Sequence, residues 1–175
     1  MRRWTIILSV VLAALPLAAA AEKGQGKAAP GAAAFERLKA LEGTWVGKAG
    51  EPGGEMMDAT VNYRVTAAGS AVVETLFPGT PHEMVTMYTL DRGTLVLTHY
   101  CAMRNQPHMR ARPGAAPNEV VFDFAGGANI DPKQDTFMHD ARFVFVDADH
   151  VRGEWTGWSA GKPTGKTVFD MERKR

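Results

Sequence analysis

Beyond residue 43, apolar and polar residues alternate with a period of two, and the alternating stretches are broken by Gly, Pro, Asn and Asp. That period places successive side chains on opposite faces of a strand. Strands are predicted at Thr44–Lys48, Met57–Thr66, Ala71–Phe77, Met84–Leu90, Leu95–Cys101, Glu119–Phe124, Phe137–Val146, Val151–Trp158 and Thr167–Glu172. The connections between most of them are short, which favours sequential hairpins and an up-and-down antiparallel meander. So many strands in one small domain must stack as two sheets or close on themselves, and closure removes the exposed edges. The expected fold is all-β: an antiparallel up-and-down barrel of about eight to ten strands. Ala102–Asn118 and Gly126–Asp135, rich in Pro, Gly and Asn, read as loops at its mouth.

Ahead of the strands the period changes. Phe35, Leu38 and Leu41 recur at helical spacing and Gly43 follows as a stop, so a short helix of about two turns precedes the barrel. Residues 22–33 are Lys, Gly, Ala, Gln and Pro with almost no large apolar group, and read as a flexible linker. Residues 1–21 carry Arg2 and Arg3, an apolar run from Trp4 to Leu15, then Pro16 and small residues up to Ala21, the order of a cleavable signal peptide. A periplasmic or secreted protein with its barrel domain in residues 34–175 is expected. The apolar run is shorter than the roughly 20 residues that span a bilayer, so stable membrane insertion is not expected.

Charge and cysteine content narrow the classes further. Removing the first 21 residues takes two of the 20 basic residues against 19 acidic ones, leaving a net charge near −1 and no electrostatic footprint for nucleic acid. The cluster of Arg104, His108, Arg110 and Arg112 reads as a solvated loop. Cys101 is the only cysteine, so stability must come from packing rather than an internal disulfide.

Alternation also sorts the residues capable of chemistry. Leu95, Leu97, His99 and Cys101 share one face, with Val96, Thr98 and Tyr100 on the other. His99 and Cys101, joined by His82, His108 or His139, have the atom types of a zinc or copper site, while a buried hydrogen-bonded His beside a buried Cys is the plainer outcome. Glu74 shares a face with Val72 and Leu76; pointing inward, its carboxylate needs a partner, and Arg64 or His99 could supply one. Leu97, Met87, Phe143 and Phe145 are candidate linings of an apolar cavity. Catalytic signatures are absent: there is no Gly-x-Ser-x-Gly elbow, no His-Glu-x-x-His and no phosphate-cradling Gly loop. Asp123 and Asp170 are expected to face water opposite Phe122 and Phe169.

The short helix running into Leu41-Glu42-Gly43-Thr44-Trp45-Val46-Gly47 resembles the start of calycin-type barrels, the superfamily of lipocalins, fatty-acid-binding proteins and nitrobindin-like haem-binding barrels. The segments Glu74–Met84 and Thr98–Cys101 are similar to those of uncharacterised secreted bacterial members. The resemblance implies that Gly43 turns the chain tightly into the first strand, that Trp45 closes one end of the barrel, and that Arg173 stacks on it. Nitrobindin-like barrels ligate haem iron through a histidine near the C-terminal end, whereas Thr167–Arg175 contains none, so no iron ligand is assigned.

The expected function is binding of a small, largely apolar ligand inside the barrel. Glu74, His99, Tyr100, Cys101, Asn105 and Gln106 are the candidate binding residues, beneath and along the Ala102–Asn118 loop. Two alternatives stand beside it: a metal- or haem-dependent or Cys/His-based enzyme on the same barrel, using His99, Cys101 and His82, and a solid barrel acting as a structural or interaction module. No cofactor, metal or oligomeric state follows from the sequence.

Overall fold

A computed structural model describes residues 30–175, so the signal-peptide and most of the linker assignments lie outside the described residues. Helix α1 (Pro30–Ala40) leads into ten strands: β1 (Gly43–Gly50), β2 (Met56–Thr66), β3 (Ala71–Leu76), β4 (Met84–Asp91), β5 (Thr94–Tyr100), β6 (Gln106–Ala111), β7 (Glu119–Ala128), β8 (Thr136–Phe145), β9 (His150–Ser159) and β10 (Lys162–Arg173). Each strand pairs antiparallel with its neighbours in sequence, and β10 returns to β1, with Trp45 opposite Arg173 and Gly50 opposite Val168. The barrel is closed, so every strand has a partner on both sides.

The meander puts the β2–β3, β4–β5, β6–β7 and β8–β9 connections at one end, where α1 packs against β4 and β5. The other five connections form the opposite end, the mouth. Helix α1 lies very close to the β4–β5 turn: a Cβ on Gly31 would come within 2.2 Å of the Gly93 carbonyl oxygen, so only glycine fits there. The helix is longer than Phe35, Leu38 and Leu41 indicate, starting at Pro30, a residue suited to a first helical turn.

Gly43 has φ +127°, a backbone region that side chains other than hydrogen disfavour, and it turns the chain from α1 into β1. Trp45 is fully buried; its indole nitrogen donates to the Leu41 carbonyl oxygen at 2.6 Å and its ring meets Tyr63 edge-on at 6.4 Å. The Arg173 guanidinium lies 4.5 Å from the Trp45 ring centre. All three expectations drawn from Gly43, Trp45 and Arg173 hold in the geometry.

Two expectations about loops are corrected. Ala102–Asn118 is not one loop: strand β6 occupies its middle, with Pro107 and Met109 buried and His108 and Arg110 exposed. Met109 is fully buried and pairs with Leu97 and Phe124. The strand escapes notice because it contains Pro107 and three polar residues; a register shift between Pro107 and Met109 accommodates the missing N–H. Gly126–Asp135 likewise loses its first residues to β7, which runs to Ala128. Arg110 is not a loop cation but an outward strand residue paired with Asp91, whereas Arg112, just past β6 in the connection to β7, is exposed and paired with Asp123.

Candidate functional site: the barrel interior

Inward positions of β2, β3, β4, β5 and β9 bring Tyr63, Glu74, Thr86, Tyr88, His99 and Trp155 into the centre of the barrel. Glu74 is 1% exposed. One carboxylate oxygen accepts a hydrogen bond from Tyr63 at 2.7 Å, the other from Tyr88 at 2.8 Å. Thr86, opposite Glu74 in the β3–β4 ladder, places its hydroxyl 2.9 Å from Nδ1 of His99. His99 in turn lies against the Trp155 ring at 4.7 Å. A polar chain thus runs from Tyr63 and Tyr88 through Glu74 and Thr86 towards His99, walled by Val61, Leu97, Phe122 and Phe143.

Burial governs the protonation of this set. It pushes the Glu74 carboxyl up from its ordinary range, against the hydrogen bonds from Tyr63, Tyr88 and Thr86, which hold it down. Burial, reinforced by Glu74, drives both tyrosine phenols well up, so they remain donors at any ordinary pH. Burial lowers His99 to about 4, so the imidazole is neutral near pH 7.

The partners differ from those the sequence suggests. Neither Arg64, which is exposed, nor His99 satisfies Glu74; two tyrosines do. Their positions were readable, since Tyr63 alternates with Val61 and Tyr88 with Thr86 on inward faces, but aromatic residues in strands pass easily as core filling. Met87 is not a cavity lining: it faces outward and is 37% exposed. Asp123 and Asp170 do face outward, paired with Arg112 and Arg152.

The remaining candidates disperse. Tyr100 lies on the outer face of β5, 49% exposed. Cys101, buried at the mouth, has its thiol pushed up by burial, and its sulfur meets the Met84 sulfur at 3.9 Å rather than His99. Asn105, also buried, donates to the Thr136 carbonyl oxygen at 2.8 Å, while Gln106 accepts from Asn129 at 2.9 Å; both brace the mouth loops. His82 and His108 are exposed, and His139 stacks on Trp158 at 4.2 Å and Phe124 at 5.0 Å, away from His99. Among the described residues no three His, Cys, Asp or Glu side chains converge as metal ligands.

The interior holds little open space. A void of about 10 Å³ lies against Tyr63, Glu74, Phe143 and Trp155, room for about one water. Phe77, in the β3–β4 loop at the mouth end, folds inward against the core with its ring 5.7 Å from Phe169, a residue that borders the void. Haem, which the nitrobindin-like resemblance implies, does not fit these residues. Strand β10 contains no histidine, and a porphyrin is far larger than the void.

Comparison with protein-family models and with curated proteins gives no match. Among solved structures, Rv2717c from M. tuberculosis is similar, with a TM-score of 0.54 and 14% identity over 81% of this chain and 98% of that one. A protein of unknown function from the DUF3598 family of Nostoc punctiforme is also similar, with a TM-score of 0.53 and 12% identity over 78% of this chain. This chain spans about half of the Nostoc protein, 48% of its length. At these identities the likeness is one of fold.

Proposed function

We propose that the chain is an exported, calycin-like barrel that binds a small, largely apolar molecule inside, with the ligand's polar end against Glu74 and His99. One observation carries the reading: a carboxylate held by two tyrosine hydroxyls, linked through Thr86 towards a neutral His99, lies at the centre of an otherwise apolar barrel. Burying such groups is unfavourable unless they are fully partnered, and an interior serving stability alone is filled more simply with apolar side chains. The route in is the mouth beside Phe77, whose ring is carried by a loop rather than a strand. Export is supported by the order of charged, apolar and small residues in positions 1–21.

Organic extracts of the purified protein, analysed by mass spectrometry, and thermal shifts against a panel of small apolar alcohols, phenols and acids test the reading. A ligand is expected whose affinity falls at least about tenfold in both Glu74→Gln and His99→Ala. A panel without shifts and an empty extract would reject it. The small void favours a second reading, a solid barrel serving as a structural module, which predicts that outcome.

A further inference from the structure

A hollow at the helix end lies outside the barrel's interior, between α1, the β4–β5 turn and the connection from β6 to β7, and it has a volume of about 630 Å³. That lies within the range of small-molecule sites. Its walls are small and apolar: Ala33 and Ala34 from the helix, Leu95 and Val120 from the barrel, Ala115 and Pro117 from the connection. Three charged side chains line it, and two are already neutralised. Arg112 is held by Asp123, and Glu119 by Arg142. Arg37 has no carboxylate partner among the described residues; its guanidinium is 6.0 Å from the ring centre of Phe145. The cleft therefore presents an apolar body with, among the described residues, one positive charge that no carboxylate offsets.

We propose that this cleft is a binding site for a small organic anion with an apolar body and a single carboxylate, the carboxylate meeting Arg37. A guanidinium presents parallel N–H donors to a carboxylate, and the apolar walls provide the area that a bare inorganic anion could not use. Neither Glu74 nor His99 lines the cleft, so the site stands or falls independently of the interior one.

The probe is 2-naphthoate, with 2-naphthalenemethanol as a neutral molecule of the same ring system. Binding is followed by fluorescence anisotropy and by amide chemical-shift changes in the labelled full chain. Saturable binding of the naphthoate is expected, with shift changes gathered at Ala34, Ala115 and Val120 and the alcohol at least about tenfold weaker. Arg37→Gln is expected to weaken the naphthoate by about the same factor, and Ala115→Trp, on the connecting loop, to block it by filling the cleft. Glu74→Gln leaves it unchanged. Equal affinity for acid and alcohol, unaltered binding in both cleft variants, shift changes in the interior, or no binding at all would each overturn the proposal.

Discussion

The guanidinium of Arg173 lies 4.5 Å from the centre of the Trp45 ring and donates hydrogen bonds to the carbonyl oxygens of Ala40 at 2.8 Å and Glu42 at 2.9 Å. One side chain from the end of β10 therefore caps α1, whose last carbonyls lack partners within the helix, and covers the tryptophan that plugs the helix end. Arg173→Ala is expected to lower stability by about 2–3 kcal/mol, combining a cation–π contact with two charged hydrogen bonds. Arg173→Lys should recover less than half, because an ammonium lacks the planar fork that reaches both carbonyls while lying on the ring. Urea unfolding of the two variants measures both; equal stability of the lysine variant and the wild type would remove the geometric role.

Glu74 makes stability fall with rising pH. Its folded pKa is raised above the ordinary carboxyl value, so in the window between the two the folded chain holds a proton that the unfolded chain has lost. The contribution is complete below the ordinary value near 4.5 and fades as pH climbs through the folded value. Glu74→Gln removes that dependence. The stability difference between the variant and the wild type should shift in the variant's favour as pH increases, and parallel curves would show that Glu74 ionises normally.

His99 acts in the opposite direction. With the folded imidazole lowered from 6.5 to about 4, the unfolded chain binds the proton first as pH falls through that interval. Stability is then lost on acidification from about pH 6.5 to about pH 4, by up to about 3 kcal/mol if the full shift is realised. His99→Phe, which keeps a ring against Trp155, should flatten this part of the curve. Persistence of the acid loss in that variant would assign it to other groups.

Phe77 has φ +52°, uncommon for a bulky residue, and it sits at the turn out of β3 where its ring packs on Phe169. Phe77→Gly relieves the backbone while removing the ring. A net loss of about 1–2 kcal/mol is expected, smaller than for a core phenylalanine because the strain goes with it. Acrylamide should also quench tryptophan fluorescence more strongly as the route to Trp155 opens. Unchanged quenching alongside the same loss of stability would show that the ring packs but does not gate.

Nine of the ten strands, the short leading helix and the inward orientation of Glu74 and His99 were legible in the sequence, because period-two alternation is set by the pleat itself. The tenth strand was not. In β6 a glutamine, a histidine and an arginine take the outward positions, and the inward face is carried by a proline, Pro107, and Met109, a pair that does not read as a strand. The partners of Glu74 were hidden for a different reason. Barrel curvature brings Tyr63 of β2 and Tyr88 of β4 onto one carboxylate from flanking strands, a convergence that depends on register and twist rather than on any one strand's pattern. The helix-end cleft was equally invisible, since it is formed where a helix and two distant turns meet.

Closure between the first and last strands sets an order on folding. Arg173 bonds to Glu42 across 131 residues of chain, and β1 finds its second partner only in β10. A chain delivered N-terminus first from a ribosome therefore holds an incomplete sheet with β1 as an open edge until β10 arrives. Contacts this remote in sequence make assembly slow and leave that edge available to other chains in the interval. Truncation ahead of Arg173 would leave the first strand unlatched, a product prone to pair with a second copy rather than with itself.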